Sequence, residues 1–267
     1  MTNDIGDTLY NKDAHFYDLD NREQLKYDIR FYIDRAVKIN GHILELACGT
    51  GRITIPLAEA GHEVWGLEFS RQMLEQFKNK IKGLPKETPD RIHLVHGDMS
   101  DFTFDQKFPL IIIPGRSFQL LIDEKKEISC LNNVHHHLTK DGFFILDLAN
   151  FIKNKEQEKE WVSEEEIFDW ENTNPKTGYK IRRTHIKKRI DTVRQIIYPQ
   201  KTYYITGNDG FVEKVVKQSS WKYFFADQIK NLLMSRGFKI IEELETFEEK
   251  AINPGKGQAF IFVCQKK

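Results

Sequence analysis

Residues 43–52 read Ile-Leu-Glu-Leu-Ala-Cys-Gly-Thr-Gly-Arg, and no other stretch of the chain restricts its fold as much. A short apolar run, a carboxylate within it and two glycines one residue apart describe a buried strand, a tight turn and the start of a helix. In an open α/β sheet that turn lies outside the carboxyl ends of the strands, where ligands bind. Gly49 and Gly51 allow the backbone close to a ligand that a Cβ would block. The amides that open the next helix suit a carboxylate. Glu45, near the strand end, needs a partner, and a ligand ammonium is one. The third small residue of a dinucleotide fingerprint is missing, because Thr54 stands at that position. This disfavours a nicotinamide dehydrogenase, while a tight turn that binds nothing remains the plain structural alternative.

The pattern around this run predicts a doubly wound sheet. Leu25, Ile29, Ile33 and Ala36 recur at helical spacing over 22–40, and Asn40-Gly41 ends that helix just before the first strand. Residues 53–60 form the next helix, with Pro56 early enough to be tolerated, and 63–69 the second strand. Ser70 is a good cap for a helix through residue 81. Residues 92–96 and 110–113 are the third and fourth strands, the latter the uninterrupted run expected of a strand covered on both faces. A helix over 124–138 and a fifth strand over 143–148 follow.

The alternation breaks near Phe151. Stretches 167–170, 179–190, 193–205 and 211–223 have strand composition with turn signals between them, which predicts an antiparallel insertion of four strands. A helix over 226–235 and strands over 238–243 and 259–264 resume the earlier pattern. The expected fold is α/β: a Rossmann-like, doubly wound, mostly parallel seven-stranded sheet with an antiparallel β insertion after strand five. Residues 1–150 and 225–267 form the ligand-binding domain, and 151–224 a subdomain placed to cover a substrate.

Composition narrows the partner. Lys+Arg and Asp+Glu number 40 each, so no global field draws the chain to nucleic acid or membrane phosphates. Cys48, Cys130 and Cys264 lack the paired spacing of a disulfide framework or a zinc site, and no metal is expected. No apolar run approaches the ~18 residues of a membrane span, and no basic-then-apolar leader pattern opens the chain. A cytoplasmic monomer or homodimer acting on a small molecule is the expectation.

Two more strand ends carry acidic groups. Glu68 ends the second strand, where a carboxylate accepts both hydroxyls of a ribose. Asp98 follows the third strand, where it can accept from an adenine amino group with Met99 packed on the ring. One adenosyl ligand would touch all three positions. With Ile112-Ile113-Pro114-Gly115-Arg116-Ser117-Phe118 after strand four, these residues resemble the class I S-adenosylmethionine-dependent methyltransferases over 43–150 and 225–267. The resemblance implies S-adenosylmethionine as cofactor and S-adenosylhomocysteine as product. Ala47, Gly49, Gly51 and Arg52 would border the methionine part, with Glu45 near the ammonium. Glu68 would hold the ribose, Phe69 would flank adenine, and Asp98 with Met99 would hold its edge. Pro114 and Ser117 would face the transferred methyl. Ala47 departs from the glycine often found there.

Methyl transfer from a sulfonium to a nitrogen or oxygen of a small molecule is the implied reaction, with a base only where the acceptor must lose a proton. Arg116, Tyr17 and His185 are the catalytic candidates. Tyr10, His15, Phe16 and Tyr17 form either a lid or an ordinary aromatic-packed segment. His135-His136-His137 cannot converge on one ion, because adjacent side chains of a helix diverge by ~100°. The basic stretch 179–190 reads as a solvated strand face opposite Ile181, Ile186 and Ile190. Trp170, Tyr203, Tyr204 and Trp221 line an acceptor pocket or form the core of the added sheet. An adenosyl-binding module without catalysis and an RNA methyltransferase are the two other functions the sequence allows.

Overall fold

The computed structural model describes residues 14–20, 24–247 and 259–267. Its first elements are α1 (Ala14–Tyr17), α2 (Gln24–Ile39), β1 (Ile43–Leu46), α3 (Thr54–Glu59), β2 (Val64–Glu68), α4 (Arg71–Ile81), β3 (Ile92–His96), β4 (Phe108–Ile113), α5 (Glu124–His137) and β5 (Leu138–Ala149). Then come α6 (Lys155–Lys159), β6 (Ile167–Thr173), β7 (Lys180–Asp191), β8 (Ile196–Thr206), β9 (Val212–Gln218), β10 (Trp221–Lys222), α7 (Ala226–Ser235), β11 (Phe238–Leu244) and β12 (Ala259–Lys266).

β1 is buried along its whole length. Ile43 packs on one face of the sheet with Tyr32, Ile53 and Leu57; Leu44 and Leu46 pack on the other with Leu131, Val134, Ile229 and Leu233. This is the period-two alternation of a strand sandwiched between helical layers. The seven-stranded sheet has the order β11-β12-β5-β4-β1-β2-β3. β1, β2, β3, β4 and β5 run parallel, whereas β12 and β11 are antiparallel to their neighbours. The direction in which strands are added reverses between β1 and β4, so the crevice of this sheet opens above their carboxyl ends. The predicted fold class is therefore the observed one.

The insertion is a second, five-stranded sheet rather than four strands. The predicted stretch 211–223 divides at Ser219-Ser220: β9 pairs with residues 200–206 of β8 and β10 with Ile196 and Ile197. Pro199 lies at the break. It has no N–H for a ladder bond, and its carbonyl takes the Ser219 amide instead (3.1 Å). β8 also starts later than its composition suggests, because the Asp191 carboxylate accepts from the Val193 and Arg194 amides and holds those residues in a turn. β5 starts earlier, at Leu138, which pairs with Phe108 before a register irregularity leads to the Leu110–Phe143 pairing.

One buried side chain joins the two sheets. Gln119, with no exposed surface, accepts from the Ala149 amide at the end of β5 (2.7 Å) and donates to the carbonyls of Ala149 and Lys222 (3.2 and 2.9 Å). Beside it Lys222 forms an ion pair with the buried Glu127 of α5 (3.3 Å). Truncation of Gln119 leaves three buried backbone groups short of a partner. Gln119→Ala should cost about 2–4 kcal/mol in chemical denaturation, and a loss under 1 kcal/mol would show that this junction does not hold the sheets together.

Candidate active site

The turn after β1 is built on left-handed backbone. Ala47, Gly49 and Gly51 have φ of 59°, 58° and 85°. The two glycines serve different ends. A Cβ on Gly51 would lie 2.5 Å from the Phe77 ring of α4, whereas one on Gly49 would meet nothing within 4 Å. Gly51 thus lets a helix pack against the turn, and Gly49 faces open space over the crevice. Ala47 carries the strain of a Cβ in this region, about 1 kcal/mol.

Four carboxylates gather beneath and beside this turn. Glu68 accepts from the Gly49 amide with Oε2 (2.9 Å) and from the Ser70 amide with Oε1 (2.8 Å). The Phe69 amide is a third backbone donor to this carboxylate. Glu45, buried against α3, accepts from the Thr54 hydroxyl (2.5 Å). Burial pushes its pKa up to about 8, with the Thr54 hydrogen bond and the Arg52 charge opposing. Asp28 of α2 holds Arg52 through two parallel 2.7 Å bonds, the bidentate geometry that fixes a guanidinium in place. Asp147, at the end of β5, accepts from the Arg116 amide (2.6 Å), the Gly115 amide (3.1 Å) and the Tyr32 hydroxyl (3.3 Å).

That last contact shapes the second wall of the crevice. Gly115 and Arg116 both adopt positive φ (67° and 65°) after β4, and the Asp147 carboxylate satisfies both amides of this unusual pair. Ser117 closes the same turn by donating to the Pro114 carbonyl (2.8 Å). Arg52 reaches this wall as well, its Nη2 lying 3.8 Å from where a Gly115 Cβ would stand. The turns after β1 and β4 are therefore both tied to α2, one through Arg52 and Asp28, the other through Asp147 and Tyr32.

The other sequence-predicted residues fall as follows. Phe69, 36% exposed, stands beyond β2 with its ring stacked on His96. Asp98 lies at the end of β3, its Oδ1 taken by the Ser100 amide and hydroxyl and its Oδ2 by Lys126. Burial opposes ionisation there, but Ser100 and Lys126 hold Asp98 below the usual carboxylate range. Met99 is buried in the core with Leu67 and Phe102. Tyr17 lies at the crevice, with Arg52 and Glu68 among its electrostatic neighbours. His185 is on the second sheet, its Nδ1 2.9 Å from Asp169. Tyr10 and the side chain of His15 are outside the described residues. Phe16 packs on Tyr203 of β8.

Sequence reasoning missed Asp28, Tyr32, Asp147 and the structural use of Thr54. Asp147 had a signal, a lone acid within the apolar run of β5. Asp28 and Tyr32 are four residues apart on the helix face that also carries the apolar positions. The histidine run ends α5, where the buried His137 donates from Nδ1 to the Asn133 carbonyl and accepts the Phe104 amide on Nε2. Among the described residues no group of His, Cys, Asp or Glu is placed to hold a metal, and no helix is long and apolar enough to cross a membrane.

Residues 43–142 match the family model of a methyltransferase domain. The chain is 32% identical over 123 residues to the putative methyltransferase YqeM of Bacillus subtilis, covering 46% of this chain and 48% of that protein. It thus spans about half the length of the first curated relatives it matches. An S-adenosylmethionine-dependent methyltransferase from Clostridium acetobutylicum has the same fold, with a TM-score of 0.74 at 20% identity over 96% of this chain and 98% of that one. The glycopeptide N-methyltransferase MtfA, solved with S-adenosylhomocysteine, superposes with a TM-score of 0.62 at 25% identity over 90% of this chain and 86% of its own. Residues 43–142 are thus similar to a methyltransferase domain, and the chain has the fold of S-adenosylmethionine-dependent methyltransferases. S-Adenosylmethionine is the cofactor of that class.

Two measurements probe the buried groups. Ala47→Gly relieves the left-handed Cβ and should leave stability unchanged or raise it by up to about 0.6 kcal/mol after the added unfolded-state entropy is counted; a loss of about 1 kcal/mol would place the strain elsewhere. A carboxyl whose pKa is higher folded than unfolded binds more protons in the folded state between the two values, so stability falls there as pH rises. For Glu45 the interval runs from the ordinary carboxylate value to about 8. Urea unfolding from pH 5 to pH 8 should show a decline that is shallower in Glu45→Gln, and parallel slopes would exclude the assignment.

Proposed function

We propose that the chain transfers the methyl group of S-adenosylmethionine to a nitrogen or oxygen of a small organic molecule, with an amine nitrogen favoured. The observation that carries this reading is the open space at Gly49, in a turn whose amide Glu68 accepts and which leads into the Asp28-anchored Arg52. The donor set fits the cofactor. Arg52, charged and fixed, suits its carboxylate. Glu68 suits the ribose hydroxyls. The exposed Phe69 ring suits adenine, and Asp98 with Met99 lies at the next strand end. Glu45 and Glu68 are the acids beside the turn for the ammonium. MtfA, by its printed name, methylates nitrogen, which supports the same atom here.

When bound, the cofactor supplies a methyl group on a cationic sulfur, open to in-line displacement. The chain's own part is to orient the acceptor and exclude water. Pro114, Gly115, Arg116 and Ser117 form the wall nearest the reacting end, with a backbone that Asp147 holds rigid. Tyr17 is the hydroxyl candidate at the crevice rim. The insertion, residues 151–224, would close over the acceptor.

Isothermal titration with S-adenosylmethionine and S-adenosylhomocysteine is the direct test, and failure of both to bind would sink the reading. Gly49→Ala should weaken S-adenosylhomocysteine at least tenfold with a stability loss of about 1 kcal/mol, because its Cβ enters the ligand's space. Gly51→Ala should instead lose stability, by about 1–3 kcal/mol, through overpacking on Phe77. Equal affinity in Gly49→Ala and wild type would remove that residue from the site. Tight binding with no turnover across a broad amine and alcohol panel would favour the non-catalytic adenosyl-binding module.

A further inference from the structure

No helix lies between β3 and β4. Residues 97–107 form a loop there, and one face of α5 holds it. Lys126, Ser129, Asn133 and His137 recur at helical spacing and flank the apolar face that α5 packs on the sheet through Leu131 and Val134. Each of the four grips the loop. Lys126 Nζ donates to Asp98 Oδ2 (2.9 Å), the Ser129 hydroxyl (2.7 Å) and the Asn133 amide (3.1 Å) both donate to the Ser100 carbonyl, and His137 Nε2 accepts from the Phe104 amide (3.0 Å).

The result is a carboxylate with one direction left open. Asp98 Oδ1 takes the Ser100 amide (2.8 Å) and hydroxyl (2.7 Å), while Oδ2 takes Lys126 and keeps room for one more donor. Met99 anchors the same turn in the core beside Leu67 and Phe102, and the Asp101 amide closes it on the Asp98 carbonyl (2.9 Å). The Asp98 side chain is 26% exposed, so an incoming donor can reach it. Burial opposes its ionisation, and Ser100 and Lys126 outweigh that cost. An exposed ion pair adds little to stability. This one fixes the charge and the direction of a group at the ligand-binding edge of the sheet.

We propose that Lys126, Ser129 and Asn133 are positioning residues of the cofactor site, which aim Asp98 at the 6-amino group of adenine and keep it an acceptor. This rests on the methyltransferase reading, which supplies the adenosyl ligand. An acceptor fixed before the ligand arrives removes an ordering cost from binding, and it also makes the site selective. The amino group donates to Oδ2. A keto oxygen at the same position meets a carboxylate oxygen, two acceptors with no proton between them. α5 therefore discriminates 6-amino from 6-oxo purine nucleosides without touching the ligand.

The test titrates the full chain with S-adenosylhomocysteine and with its 6-oxo counterpart, S-inosylhomocysteine, by direct calorimetry and by competition. Wild type should bind the 6-amino ligand about tenfold more tightly or better. Lys126→Met, and separately Ser129→Ala combined with Asn133→Ala, should weaken S-adenosylhomocysteine by about fivefold or more while the 6-oxo ligand changes by less than about twofold, so the preference narrows. Lys126→Arg keeps the charge-assisted bond and should keep the wild-type preference. Lys125→Gln, at an exposed neighbour on the same helix, should shift neither ligand by more than about twofold. A variant that merely loosened the fold would weaken both ligands alike, so equal weakening of the two, or unchanged affinities, overturns the proposal. Wild type that binds the two ligands equally overturns it as well. Wild type that binds neither defeats the methyltransferase reading itself, which keeps the two failures apart.

Discussion

A carboxylate taken out of water must be given donors, and the carboxyl edge of this sheet is organised around that constraint. Asp28, Glu45, Glu68 and Asp147 are all buried there. Each draws its donors from another part of the chain: Asp28 from Arg52, Glu45 from α3, Glu68 from the turn after β1 and the cap of α4, Asp147 from the turn after β4 and from α2. The two turns that wall the crevice are therefore fixed by the acids themselves. Breaking a buried pair by removing one partner is far more costly than the pair is worth as net stabilisation, which makes the arrangement rigid and specific rather than merely stable.

The fold was legible because its signals are local. The unbroken burial of β1, the cap at Ser70 and the glycine stops each act within a few residues, and they locate strands and helices wherever apolar layers cover both faces. Boundaries moved where a single hydrogen bond outweighed composition. Asp191 turned two β-branched-flanked residues into a turn, and Pro199 divided a long edge strand in two. Neither event shows in hydropathy.

The site was legible only along the strand ends. Gly49, Gly51, Arg52 and Glu68 could be singled out because the topology of an open sheet says where to look. Asp28 and Tyr32 were not, since a helix face that buries an acid looks in sequence like an imperfect apolar stripe. The cross-strand register that sets His185 opposite Lys201, and Lys201 opposite Lys217, was equally invisible, because these residues are separated by two hairpins. Charge counting placed the basic stretch in solvent because it cannot tell which residues alternate inward.

The amino-terminal segment touches both halves of the molecule. Asp18 accepts from the Thr50 hydroxyl (2.7 Å) and from Lys80 (2.9 Å) at the first turn, Asp20 meets Arg183 of β7 at 3.4 Å, and the Leu19 carbonyl accepts from Asn172 of β6. Residues 18–20 thus bridge the two sheets. A change at these three residues is therefore felt at once by the turn after β1 and by the second sheet.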